Sequence, residues 1–433
     1  MESEPNSIDR DVTAENTPRD WLVPLGGALG LIVGNGPISV FAFGVFIGPL
    51  EGEFGWSRAS LGGAIALCAL LSAITLPFVG LLMDKFGVRR PLAIALCLFA
   101  VNVVLIGQST AFPMFIALTA LAGATGAAQS PIGYVKSIAS FFDRRRGLAI
   151  GVAMSGIGIG TALIPQYAQW LIASFGWRVG YLGLGLAIAA VALPSVLFLL
   201  RDPAGDRLPG VTGLATPGMG LREALRLRAF WSIALAVLLV SMAVNGAIVH
   251  VVPLLVERGW SASSATSVLV ATGVAGLVGR LLAGYLMDKV FAAYVAAGFF
   301  ALAIVGIYLL ASGVNAVLGM VGIGLAAGAE VDMIGFFTSR YFGLKRFGQL
   351  YGVLFAIFTI GAGLGPLLLG TLYTHLHGYG AGFVVCGLGL AAAGISVLML
   401  GPYAYEPAMT STSAKSSIPT ASSAGARAGS SRA

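Results

Sequence analysis

One arginine stands deep inside an apolar run. Arg280 lies eight residues before Asp288, which on a helix is about 12 Å at 1.5 Å per residue. An arginine in hydrocarbon costs roughly 2.5–3.5 kcal/mol on insertion scales, so it must face a cavity or a partner. Its planar fork of donors suits a carboxylate. Two readings stay open: Arg280 binds an anionic ligand, or it is a structural cation paired with Glu330 or Asp332. Those two are the acids deep in another run. Two residues apart on a helix of about 100° per residue, they cannot share one face. One could titrate in a cavity and carry a proton, since burial raises a carboxyl pKa. The other could brace a network with Arg340 or Lys289, or both could serve structural pairing. His250 could carry a proton or donate to an anion, or sit neutral and hydrogen-bonded between helices.

Asn35, Gln129, Tyr134 and Asn245 are uncharged polar residues in apolar runs. Each is a candidate ligand contact, or an ordinary interhelical hydrogen-bond partner. Lys136 stands near a run's end and is read as a snorkelling anchor. No nucleophile–base or metal constellation is legible. There are three His, no His-Glu-x-x-His, no nucleophile elbow and no Gly-x-x-x-x-Gly-Lys-Ser/Thr loop. The chain therefore reads as neither an enzyme nor an ATP-driven pump, and no cofactor is expected. Cys68, Cys97 and Cys386 are scattered in apolar runs and read as small packing residues.

The elements that position these groups must be membrane helices. Hydrophobic residues make up 57% and charged residues 10%, with mean hydropathy +0.91; soluble domains carry about 25% charged residues. A helix needs about 20 apolar residues to span a bilayer. Twelve such runs are present, without the alternation of barrel strands. The expected fold is all-α: a polytopic membrane protein of twelve helices in two pseudo-symmetric six-helix halves. The expected organisation is an N-terminal tail over 1–20, a first half over 21–200, a linker over 201–228, a second half over 229–402 and a disordered tail over 403–433. The first twenty residues hold six acids and do not read as a signal peptide.

Loops on one side hold Lys85, Arg89, Arg90, Arg144, Arg145, Arg146, Arg201, Arg207, Arg222, Arg226, Arg228, Lys289, Arg340, Lys345 and Arg346. The opposite loops hold Arg58, Arg178 and Arg258. The positive-inside rule then places both termini and the linker in the cytoplasm. The net charge of +7 follows from this bias and requires no nucleic acid. Short outer loops and Ala/Gly richness point to a bacterial inner membrane.

The halves repeat one plan. Gly55-Trp56-Ser57 recurs 204 residues on as Gly259-Trp260-Ser261, and Gly80-Leu81-Leu82-Met83-Asp84-Lys85 as Gly284-Tyr285-Leu286-Met287-Asp288-Lys289. Gly147, Gly151 and Pro165 recur 201 residues on as Gly348, Gly352 and Pro366. Such repeats are usual in secondary transporters, with the site between halves. Asp84 with Lys85, Gly87, Arg89 and Arg90 forms a charge cluster at a helix seam, able to hold one conformation and release in another. The copy ending in Asp288 lacks the trailing Gly and Arg pair.

Gly80-x-x-x-Asp84-Lys85-x-Gly87-x-Arg89-Arg90 resembles the signature loop of the major facilitator superfamily. Gly156-x-x-x-Gly160-x-x-x-x-Pro165 resembles that family's fifth helix, and the resemblance covers about 21–402. In that family helices one, four and seven line the cavity, which is what makes Asn35, Gln129, Tyr134 and Asn245 candidates. Within it, Phe43-Gly44-Val45-Phe46-x-x-Pro49-Leu50 with Glu53-Phe54-Gly55-Trp56-Ser57-Arg58-Ala59 is similar to the monocarboxylate transporter and oxalate–formate antiporter group. So are His250-x-x-Pro253 and Gly279-Arg280. The resemblance implies a carboxylate-binding role for Arg280. Two departures stand: Gly276 replaces the acid of animal monocarboxylate transporters, and helix eleven lacks the lysine of oxalate antiporters. The second favours one carboxylate over two. The expectation is a monomeric alternating-access transporter of a small organic anion, a monocarboxylate, coupled to protons. The alternative is an anion exchanger or an exporter of a drug-like compound.

Overall fold

The repeated Gly-Trp-Ser is a helix stop followed by a helix start. Gly55 and Gly259 take left-handed backbone, φ 67° and 87°, which glycine adopts without strain. Ser57 and Ser261 then accept the backbone N–H of Ser60 and Ser264 at 3.1 and 3.2 Å, capping the next helix. The computed structural model describes residues 18–142, 145–201 and 218–405. Among these, twelve helices are long and apolar enough to cross a membrane. They are Leu22–Phe54 (α1), Ser60–Phe86 (α2), Arg89–Ile106 (α3), Phe112–Phe141 (α4), Arg146–Phe175 (α5), Trp177–Leu199 (α6), Arg228–Glu257 (α7), Ser267–Met287 (α8), Ala292–Ser312 (α9), Ala316–Phe342 (α10), Phe347–Leu376 (α11) and Gly380–Leu398 (α12). The all-α, twelve-helix expectation holds. Large apolar side chains such as Phe78, Leu98, Phe198 and Val270 stand exposed on this surface, as a lipid-facing exterior requires.

Both halves pair their helices alike, through glycines. In the first, Gly156 and Gly160 of α5 lie against the backbone of Ala28 and Ile32 on α1, and Gly123 of α4 against Cys68 on α2. In the second, Gly365 of α11 meets Met242 on α7, and Gly324 and Gly328 of α10 meet Thr272 and Gly276 on α8. A Cβ added at these glycines would come within 2.0–2.5 Å of a backbone oxygen. Removing the side chain is what lets helices approach where lipid supplies no hydrophobic drive.

Among the described residues, α6 carries π-helical stretches at Ile188–Ala192 and Ser195–Leu199 near its linker end, and α1 and α4 break nearer their middles. α1 passes through a π-helical stretch, Gly36–Phe41, just after Asn35; Pro37 has no N–H to give the ladder. α4 tightens to a 3-10 turn at Ala127–Gln129, goes extended at Ser130 and restarts at Pro131, because proline keeps its predecessor out of the helical region.

An even number of spans separates the start of α1, the end of α6, the start of α7 and the end of α12, so all four lie on one membrane face, here the linker side. Of the expected linker, residues 202–217 lie outside the described residues, as do 1–17 and 406–433 of the tails and Arg144. The described end of the linker docks on α10: Met219 N–H donates to Phe342 O at 3.0 Å. Residues 403–405 of the expected tail are among the described residues. Tyr403 packs against Phe291, Phe336 and Tyr341 and accepts the Ala292 N–H at 2.8 Å, because aromatic stacking on the ends of α9 and α10 orders it.

Candidate functional site

On the linker side the halves hold each other through two matching latches. Asp84, ending α2, accepts the N–H groups of Gly348 and Gln349 at 2.9 and 2.9 Å. Asp288, just past α8, accepts those of Gly147 and Leu148 at 2.7 and 2.9 Å. Each carboxylate thus caps the start of a helix in the opposite half, where unpaired N–H groups and the helix dipole favour an anion. Beside each latch the backbones touch: a Cβ on Gly80 would lie 2.0 Å from Gly348 O, and one on Gly147 2.2 Å from Gly284 O.

The latches differ in their cation. The cations following Asp84 in sequence are not its partners. Lys136 of α4 is, at 2.9 Å, with the lysine also donating to Met83 O at 2.7 Å. Lys136 is buried and so is no snorkelling anchor; the carboxylate across the helix pair draws it inward. Lys85 lies over the Phe86 ring, and Arg89 donates to Leu197 O. Gly87 takes φ 79° at the turn into α3. Asp288 has no cation within ion-pair distance among the described residues. Burial pushes its carboxyl up to about 6, against the lowering pull of its two amide bonds and of Arg340 and Arg146. Arg146 adds a third tie between halves, from its Nη1 to Ser339 Oγ at 3.1 Å.

The same helix faces part on the far side. Gly62 lies eighteen residues, five turns, before Gly80 on the same face of α2, and a Cβ there meets nothing within 4 Å. Gly273, eleven residues before Gly284, is as open. The halves therefore meet near the linker side and diverge away from it. Their far ends are tied inside each half instead. Glu53 accepts Trp177 Nε1 at 2.6 Å and Arg178 Nη1 at 2.8 Å, while Tyr373 donates to Glu257.

Arg280 lies one turn above the Gly284–Gly147 contact on α8. A Cβ on Gly151 would lie 2.8 Å from Arg280 O. Gly328 lets α8 and α10 approach there, which brings Arg280 beside the acids of α10. Its Nη1 donates to Asp332 Oδ1 at 3.3 Å, a long contact, with side-chain exposure of 12% for Arg280 and 0% for Asp332. Asp332 Oδ2 and the Oε2 of buried Glu330 have no hydrogen-bond partner among the described residues. Asp332 is thus the arginine's partner, and it does not reach Arg340 or Lys289 by any recorded bond. Tyr351, which sequence reasoning missed, is fully buried on α11 with its hydroxyl unpartnered among the described residues.

The first half contributes a second polar group, where the two broken helices meet. A Cβ on Gly126 would lie 2.5 Å from Asn35 Oδ1, and Tyr134 donates weakly to Gln129 Oε1 at 3.4 Å. Asn35 Oδ1, Gln129 Nε2 and Ser130 Oγ are buried without partners among the described residues. Broken helices with spare polar groups at mid-membrane are the usual material of a transport site. No recorded contact joins this group to Arg280. Asn245 donates to Ser241 O on its own helix at 2.9 Å. His250 sits apart, between Pro366 O at 3.0 Å and Tyr379 Oη at 3.3 Å. The carbonyl can only accept, so Nε2 donates to Pro366, while the tyrosine hydroxyl can serve Nδ1 as donor or acceptor.

The sequence profile of the Major Facilitator Superfamily matches residues 29–329. Monocarboxylate transporter 13 of Bos taurus is 27% identical over 374 residues, 84% of this chain and 85% of that protein. Monocarboxylate transporter 11 of Mus musculus is 29% identical over 263 residues, with the alignment spanning 58% of each. A structure of the transporter FucP in the outward conformation superposes with a TM-score of 0.69 at 15% identity, covering 88% of this chain and 99% of FucP. Twelve helices in two repeated halves, the matched profile and these relatives lead to one statement: the chain is a secondary transporter belonging to the major facilitator superfamily.

Proposed function

We propose that the protein moves a small organic anion, a monocarboxylate, by alternating access, with Arg280 as the anion-binding group. The observation that carries this reading is the arginine's position. It is a cation deep in α8, one turn above the closed contact between the halves, held by a long contact to Asp332. A substrate carboxylate offering two parallel hydrogen bonds competes well with one at 3.3 Å. The aligned relatives, named as monocarboxylate transporters, support that substrate class.

Proton coupling follows from the same pair. A carboxylate that loses its buried cation is costly to keep ionised. Substrate arriving at Arg280 therefore favours protonation of Asp332 or Glu330, and release reverses this. The positive-inside bias makes the linker side cytoplasmic, so the present opening faces outward, as uptake requires at its first step. The test is uptake of labelled lactate or pyruvate into proteoliposomes with and without an inward proton gradient. Gradient-driven accumulation supports the reading; accumulation of neither acid under any gradient overturns it.

A further inference from the structure

We propose that Tyr351 is the hydroxyl that takes over Asp332 when a substrate carboxylate takes Arg280. This rests on the anion-binding reading and names a positioning residue which that reading leaves out. Tyr351 has a slot made for it. A Cβ on Gly335 of α10 would lie 3.4 Å from Tyr351 Cε2 and 2.5 Å from Val135 Cγ1 of α4. Asp332 precedes Gly335 by one turn on the same face. The ring therefore lies where α4 of the first half, α10 and α11 meet, beside the turn of α10 that carries Asp332.

Two orphans share this junction. Asp332 Oδ2 has spare acceptor capacity, and Tyr351 Oη has a donor with no acceptor. Both side chains are fully buried. With Arg280 on Asp332 Oδ1, the two orphans stand unpaired among the described residues. Once substrate draws Arg280 away, Asp332 must gain a proton or a donor, and the tyrosine is the uncommitted donor at hand. Because Tyr351 and Val135 both pack on Gly335 at the seam, a turn of the ring toward Asp332 disturbs the packing that keeps the linker side shut. Binding at Arg280 is thereby felt at the closed face.

Four other ionisable groups of the helices packed on α11 are engaged elsewhere. Asp84 of α2 and Lys136 of α4 pair with each other. His250 of α7 is bonded to Tyr379 and Pro366. Tyr134 of α4 turns to Gln129. Glu330 stands two residues from Asp332 on α10 and remains the competing site for a proton.

The experiment needs no knowledge of the substrate. Arg280→Gln leaves Asp332 without its cation, as a bound carboxylate would. Melting temperatures of purified protein are measured for Tyr351→Phe in the parent and in Arg280→Gln, at pH 8 and pH 5, and again with Asp332→Asn. The expected result is little change in the parent and an additional fall of about 2–4 °C in Arg280→Gln at pH 8. That excess disappears at pH 5 and with Asp332→Asn. Equal shifts in both backgrounds overturn the proposal. Should Arg280→Gln not fold, pyruvate affinity decides: Tyr351→Phe weakens it about tenfold at pH 8 in the parent and not with Asp332→Asn, and an unchanged or Asp332-independent affinity refutes it. The anion-binding reading fails separately, if folded Arg280→Lys binds pyruvate as the parent does.

Discussion

Asp84→Asn should swing the transporter away from its present state. The substitution keeps the volume and removes the charge. Asp84 has a side-chain exposure of 1% and holds Lys136 at 2.9 Å together with two amides of α11. Asparagine leaves a buried lysine without its anion, a loss of about 3–5 kcal/mol, and weakens an anion–dipole interaction of about 0.3–1 kcal/mol. Opening the linker side rehydrates both groups and escapes this cost. At about 1.4 kcal/mol per tenfold, the equilibrium shifts toward the linker-open state by roughly a hundredfold or more. Gly273→Cys, where an added side chain meets nothing, reports the far opening to an impermeant maleimide. A Cys97→Ser background keeps the signal clean, since Cys68 and Cys386 are buried. Labelling should slow sharply with Asp84→Asn and transport should fall, while substrate affinity is nearly retained. Asp288→Asn is the internal control. It has the same pair of amide bonds but no lysine, and its neutral form is already tolerated, so labelling stays fast. Fast labelling in Asp84→Asn, or slow labelling in both variants, would refute the lysine's role in the latch.

Asp288 also predicts a pH dependence. Its carboxyl sits at about 6 in the closed seam against an ordinary 3.8, so the closed state binds more protons between those values. Acidifying the linker side from pH 7 toward 4 should therefore favour closure, with the gain complete below about 4 and lost above about 6; Asp288→Asn should flatten this curve in the labelling assay. Arg280→Lys keeps charge but loses the fork, so affinity should fall while some transport survives. Folded Arg280→Ala should lose anion binding, on the order of 2–5 kcal/mol by titration calorimetry. Glu330→Gln should abolish gradient-driven accumulation yet leave exchange of preloaded substrate, which needs no net proton release; if both it and Asp332→Asn retain accumulation, coupling lies elsewhere.

The helix count, the halves and the seam glycines were legible because each leaves a local mark: an apolar run, a repeat, a Gly-x-x-x-Asp. The partner of Asp84 was not. Lys85, Arg89 and Arg90 adjoin it in the chain, but helix geometry turns the carboxylate to the seam, where Lys136 waits 52 residues further on. Lys136 carried no sign of burial, since a lysine near a helix end usually snorkels. Arg280 and the α10 acids were visible as charges in apolar runs, and the long contact to Asp332 settles which acid meets the arginine. The breaks at Asn35-Gly36-Pro37 and Gln129-Ser130-Pro131 had a readable signal in their prolines. Tyr351 had none: a tyrosine in an apolar run looks like packing until its hydroxyl is found without a partner.

The two latches carry a historical consequence. Asp84 of the first half caps a helix of the second, and Asp288 of the second caps the matching helix of the first. In the repeat, Asp84 corresponds to Asp288 and Gly147 to Gly348. Two copies of a single half, related by a twofold axis, would make this same contact twice, an isologous interface that closes on itself. The far-side ties of Glu53 and Glu257 lie within each half and would survive in a half made alone. The latch thus has the form of a homodimer contact, complete before any fusion of two genes. Lys136 beside only one of its carboxylates is what fusion permits: once the copies share a chain, the two ends of a symmetric lock are free to become unequal.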